Sequence, residues 1–185
     1  GAQEVWRGWI QLMTILAPAF LLSELTEAFQ IGFLLLVPFL IIELVVSNIM
    51  LALGMMMMNP QVITLPLKLL LFVLIDGWRL ILEGIISGYT GGGAAMEAET
   101  VIRIGREALL LTMLLSALPV LATMIVGLII SLIQATVQLQ EQTLSQVPKI
   151  VVVYVVLMAG GMWMLAQLMQ FAILMFEGIG RVGRL

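Results

Sequence analysis

The stretch Pro38-Phe-Leu-Ile-Ile-Glu43-Leu-Val-Val-Ser-Asn-Ile-Met50-Leu-Ala-Leu-Gly54-Met55-Met56-Met57-Met58-Asn59-Pro60 decides how this chain folds. It completes an apolar run, Ile31 to Met58, that exceeds the roughly 20 helical residues needed to cross a bilayer core. Asn59-Pro60 closes the run, and another apolar stretch opens at Leu65. The pattern predicts a helix, a turn over residues 59–64 and a returning helix. Four methionines in succession cannot all face one side of a helix, because successive residues stand about 100° apart. Methionine is unbranched and polarizable, so it re-packs easily. The run Met55 to Met58 is therefore either a soft seal around an opening or lipid-facing and core filler.

Working outward, the 185 residues are 62% apolar and only 10% charged, against about 25% charged in a soluble domain. This is the composition of a membrane chain. Histidine and cysteine are absent, which removes disulfides, thiolate nucleophiles, imidazole bases and the commonest transition-metal ligands. A net charge of -3 with no basic patch offers nothing to nucleic acid. The start, Gly-Ala-Gln-Glu, has no basic n-region and reads as carrying no signal peptide. Nothing pairs a nucleophile with a base. Gly91 to Gly93 lacks the lysine and helix signature of a phosphate loop. No enzyme activity, cofactor or metal site is expected.

Four apolar stretches have spanning length: Ile31 to Met58, Leu65 to Ile86, Ala108 to Gln134 and Pro148 to Phe176. Residues 1–17 form a leading amphipathic segment with Trp6 and Trp9, residues that favour a membrane interface. Residues 89–98, with their three adjacent glycines, read as a flexible linker. The expected architecture is an all-α membrane protein of two antiparallel helical hairpins, residues 18–88 and 99–185, joined by that linker. Both returning helices are expected to start alike, with Thr64 and Ser145 as N-caps and Pro66 and Pro148 in the first turn. Lys68 and Lys149 follow at the helix end that disfavours cations, so each should answer to an acidic partner or a lipid headgroup.

Ionisable groups at membrane depth are costly unless paired or facing a polar cavity. Counting from the turn, Glu43 lies about 22 Å down one helix and Arg79 about 21 Å down the other. Asp76 and Glu83 share a helical face with Arg79. The expectation is an ionic cluster of Glu43, Asp76, Arg79 and Glu83, serving as a packing clamp or a transport site. In the second hairpin, Gln134, Gln138, Glu141 and Gln142 recur at spacings of three and four. They make a polar stripe suited to contact between repeated subunits or to lining a wet path.

Three runs carry a resemblance. Pro18-Ala-Phe-Leu-Leu-Ser-Glu-Leu-Thr-Glu-Ala-Phe-Gln-Ile-Gly-Phe33, Pro38 to Val46 with Gly54 to Met57, and Leu65-Pro-Leu-Lys-Leu-Leu-Leu-Phe-Val-Leu-Ile-Asp-Gly-Trp78 resemble the C-terminal half of the type III secretion export-gate family SctR, or FliP in flagella. From about Glu99 onward the chain is similar to the SctS family, FliQ in flagella. Glu107-Ala-Leu-Leu-Leu111 and Gln138-Leu-Gln-Glu-Gln-Thr-Leu-Ser-Gln-Val-Pro-Lys149 carry that second likeness. The resemblance implies a multi-pass component of the bacterial inner membrane at the base of a flagellum or injectisome. Its implied partners are SctR-, SctS- and SctT-type subunits, with room for a SctU-type (FlhB-type) one. Its implied substrates are unfolded secreted proteins passing through a central channel. Met55, Met56 and Met57 align with a gasket that seals the resting channel, and Met58 extends it. Gln134, Gln138, Glu141, Gln142, Lys149 and Lys68 fall at subunit contacts near cytoplasm-facing turns. A count of cations by the positive-inside rule would instead place the termini inside. The resemblance covers only half of SctR, and it joins two proteins that the families make separately. Two other readings stay open: a small proton- or cation-coupled transporter, and a structural or designed membrane scaffold without transport activity.

Overall fold

Nearly uninterrupted apolar runs fold into long helices, which satisfy every backbone hydrogen bond within the segment. The computed structural model describes residues 2–91, 98–137 and 142–182. Among these there are five helices and no strand: α1 (Ala2–Ala52), α2 (Gln61–Leu74), α3 (Gly77–Gly91), α4 (Ala98–Val137) and α5 (Gln142–Val182). The leading segment is not separate, since α1 runs unbroken from Ala2 through Pro18 and Pro38.

One face of α1 makes the centre of the core. Leu34, Val37, Ile41, Val45 and Met50 are buried against Phe171, Phe176 and Ile179 of α5 and against Ile104 and Leu115 of α4. Burying such side chains contributes about 1.5–3 kcal/mol each. α5 runs antiparallel to α1. Leu34 lies beside Gly178, the rings of Phe39 and Phe176 meet edge to face at 6.5 Å, and the Gln146 amide lies beside Gly54. The Met55–Met58 turn and the start of α5 thus share one end of the molecule. Asn48 Nδ2 donates to Ser116 Oγ at 3.3 Å, a polar link between α1 and α4.

Among the described residues, three segments are long and apolar enough to cross a membrane: Leu12–Ala52, Ala98–Thr136 and Ser145–Ile179. The fourth expected span is not a single helix. It breaks at Ile75 and Asp76, and Asp76 takes a left-handed backbone with φ of 53°. Beyond the break α3 packs against α5, so the first expected hairpin opens out instead of returning along α1. From Trp9 to Phe29, α1 exposes apolar side chains on all its faces, Leu16, Phe20 and Leu22 among them.

Candidate functional site

The methionine run sits in a turn, not on a helix. Residue 54 is the first described glycine after the apolar face of α1, and it takes φ of 80°. Gly54 N–H donates to Leu51 O and Met55 N–H donates to Met50 O, both at 3.0 Å. This pairing is the Schellman ending, with glycine in the left-handed position that L-residues resist. The motif brings the residue after the glycine back onto the helix, and Met55 is half-buried against the core. Met56 and Met57 are the outcome of the same turn: Met56 is 79% exposed and Met57 wholly so, with Met58 partly covered. α2 then opens at Gln61 behind Pro60, with Asn59 Oδ1 accepting from Gln61 N–H at 3.0 Å just ahead of the cap. The helix begins before Thr64, which is buried inside it, so Thr64 is not the N-cap. The Ser145 expectation shifts likewise, because α5 has already begun at Gln142.

The structure divides the expected four-residue ionic cluster. Lys68 Nζ donates to Glu43 Oε2 at 2.6 Å, with side chains 27% and 38% exposed. Arg79 Nε donates to Glu83 Oε1 at 2.8 Å on the exposed side of α3, where Asp76 adds its negative field. The reason is register. α1 ends at Ala52, six residues before Met58, so Glu43 lies about 9 Å nearer the turn than a helix to Met58 would place it. That puts it level with Lys68 of α2. The Ile75–Asp76 break then carries Arg79 away with α3.

At the break, Phe72 is the hub of an aromatic group. Its ring centroid lies 5.4 Å from Trp78, 6.4 Å from Phe176 and 6.5 Å from Phe39. Gly77 leaves room for the Phe72 ring, since a Cβ at that position would collide with it. Between α2 and α5 lies an open apolar cleft of about 580 Å³. Ile63, Leu67 and Leu70 form one wall, Ile150, Tyr154 and Leu157 the other, with Met50 and Met55 among the remaining lining residues.

In the second half, Lys149 is half-buried and lays its stem across Gly127 of α4. Gln134 is half-buried near the end of α4. Gln138 and Glu141 lie outside the described residues, as does the side chain of Gln142. The described residues hold no group of three or more acidic side chains placed to bind a metal ion.

Residues 3–85, which carry the Met turn and both ion pairs, match the model of the FliP family. Residues 100–173, which carry Gln134 and Lys149, match that of the bacterial export proteins, family 3. The chain joins two export-family likenesses end to end. Among curated proteins, it is 60% identical over 77 residues to "Yop proteins translocation protein R" of Yersinia pestis, covering 42% of this chain and 36% of that one. It is 57% identical over 76 residues to "Flagellar biosynthetic protein FliP" of Cereibacter sphaeroides, covering 41% of this chain and 25% of the relative. To "Harpin secretion protein HrcR" of Erwinia amylovora it is 53% identical over 77 residues, 42% of this chain and 36% of the other. The chain thus spans about a third or less of the length of these curated relatives. No solved structure matches it.

Two features escape a reading of the sequence by apolar periodicity. The break is marked by Asp76-Gly77, a dipeptide that favours turns, hidden inside a run whose hydropathy reads as continuous. Asn48, a lone amide on an apolar face, gives no sign of its partner in the other half.

Proposed function

We propose that this chain is an inner-membrane component of a type III protein export apparatus, flagellar or injectisome. In this reading its Met turn supplies one segment of the seal across a channel for unfolded proteins. The observation that carries the proposal is the exposure of Met56 and Met57 at the tip of a turn fixed by Gly54, within the stretch similar to the FliP family. Exposed, flexible thioethers close around a variable cargo and reseal after it, because they re-pack at little cost. A seal needs a ring, and one chain gives an arc of it. Further copies and SctR-, SctS- and SctT-type subunits complete the ring, with the turns toward the cytoplasm. Gln134, Gln138, Glu141, Gln142 and Lys149 then fall at contacts between neighbours.

The pairing of Glu43 with Lys68 favours this reading over a coupled transporter, which needs Glu43 free to take up and release its ion. Ion leakage tests it. Replacing Met55, Met56 and Met57 by alanine should raise the permeability of membranes holding the assembled complex. An unchanged leak with assembly intact would count against the seal. Loss of coupled uptake in Glu43→Gln, with no effect of the methionine variant, would favour the transporter.

A further inference from the structure

Gly54 and Asp76 are the two residues with positive φ among those described, and they bracket one segment: the Met turn and α2. At both joints the helical hydrogen-bond ladder stops, so segment 55–75 is tied to α1 and α3 by left-handed linkages. Its inner face, Ile63, Leu67 and Leu70, stands across the apolar cleft from Ile150, Tyr154 and Leu157 of α5. An apolar cleft offers water no hydrogen bonds, and closing it would recover dispersion contacts on both walls. Two features oppose closure: the Lys68–Glu43 pair holds α2 to α1, and Phe72 is held among three other rings.

We propose that segment 55–75 is a hinged strap. It turns about the line from Gly54 to Asp76, closes against α5, and is held open by the Lys68–Glu43 clasp. Because Met56 to Met58 ride on the strap, its position sets where those methionines stand. Met55, bonded to Met50 beside the Gly54 joint, and Phe72, close to the Asp76 joint, move least. The strap follows from the geometry alone; its bearing on export rests on the function proposed above.

The chain has no native cysteine, so two introduced thiols report cleanly. Spin labels at Leu69→Cys on α2 and Val155→Cys on α5, both exposed and outside the cleft, measure the opening by pulsed dipolar spectroscopy of the full chain in lipid nanodiscs. The wild-type background should give two distances, the shorter one consistent with helices packed at about 8–10 Å between axes. Glu43→Gln or Lys68→Gln should raise the short population by up to about fivefold, the effect of losing a half-exposed pair. The reversed pair, Glu43→Lys with Lys68→Glu, should return it towards the wild-type value. A single long distance in all four backgrounds would overturn the strap, whether lipid or a second copy fills the cleft. Two distances with no leak from the methionine variant would leave the strap standing and sink the seal. Leak with a single distance would do the reverse.

Discussion

Moving Lys68 by one position along α2 would swing its ammonium about 100° around the helix and away from Glu43. The pair therefore depends on where α1 ends and α2 begins, which Gly54 and Asn59 set. Both side chains are partly exposed, so the pair contributes about 1 kcal/mol at most. Glu43→Gln should lower the thermal midpoint of the purified chain slightly, and the reversed pair should recover most of the loss. The left-handed positions are less forgiving. Gly54→Ala should cost about 1 kcal/mol and loosen Met55, read as faster hydrogen exchange at residues 50–55. Asp76 occupies a region that aspartate tolerates better than most L-residues, so Asp76→Gly should be neutral or stabilising. Asp76→Val should lower the thermal midpoint by clearly more than Asp76→Gly does.

At the scale of elements, the link from α2 to α3 is the most sensitive. A methyl group on Gly77 would meet the Phe72 ring, which neighbouring rings prevent from yielding. Gly77→Ala should therefore cost about 1–3 kcal/mol and weaken the near-ultraviolet aromatic signal, and Phe72→Leu in the same chain should relieve part of the loss. The long elements were legible in the sequence because apolar runs of bilayer length admit few structures other than a helix. The ends of those elements were not. A glycine C-cap ended α1 six residues early, and an Asp-Gly turn split the returning helix, while the run of apolar residues continued through both. Those local choices moved Glu43 to Lys68 and left Arg79 with Glu83, its expected neighbour one turn along. Pairing across a hairpin amplifies a small error at the turn into a different partner.

For the whole molecule, the turn's exposure gives a direct check. A thiol at Met57→Cys should react quickly with a water-soluble maleimide in the isolated chain. It should be protected severalfold in an assembled complex if the methionines close a ring. Leu21→Cys, on the apolar all-round part of α1, should react slowly in bilayers and be protected further on assembly.

The length of α1 has a consequence of its own. Its apolar portion, Leu12–Ala52, measures about 61 Å as a straight helix, twice the roughly 30 Å of a hydrocarbon core. To lie wholly within a flat bilayer it would have to lean about 60° from the normal, beyond the 0–40° that membrane helices adopt. Tilt alone does not accommodate it. Part of that surface must then stand outside a flat hydrocarbon core, so the bilayer is only a partial solvent for this chain. Expressed alone, it should be held in detergent more readily than in thin membranes, and thicker bilayers or added subunits should extend its lifetime.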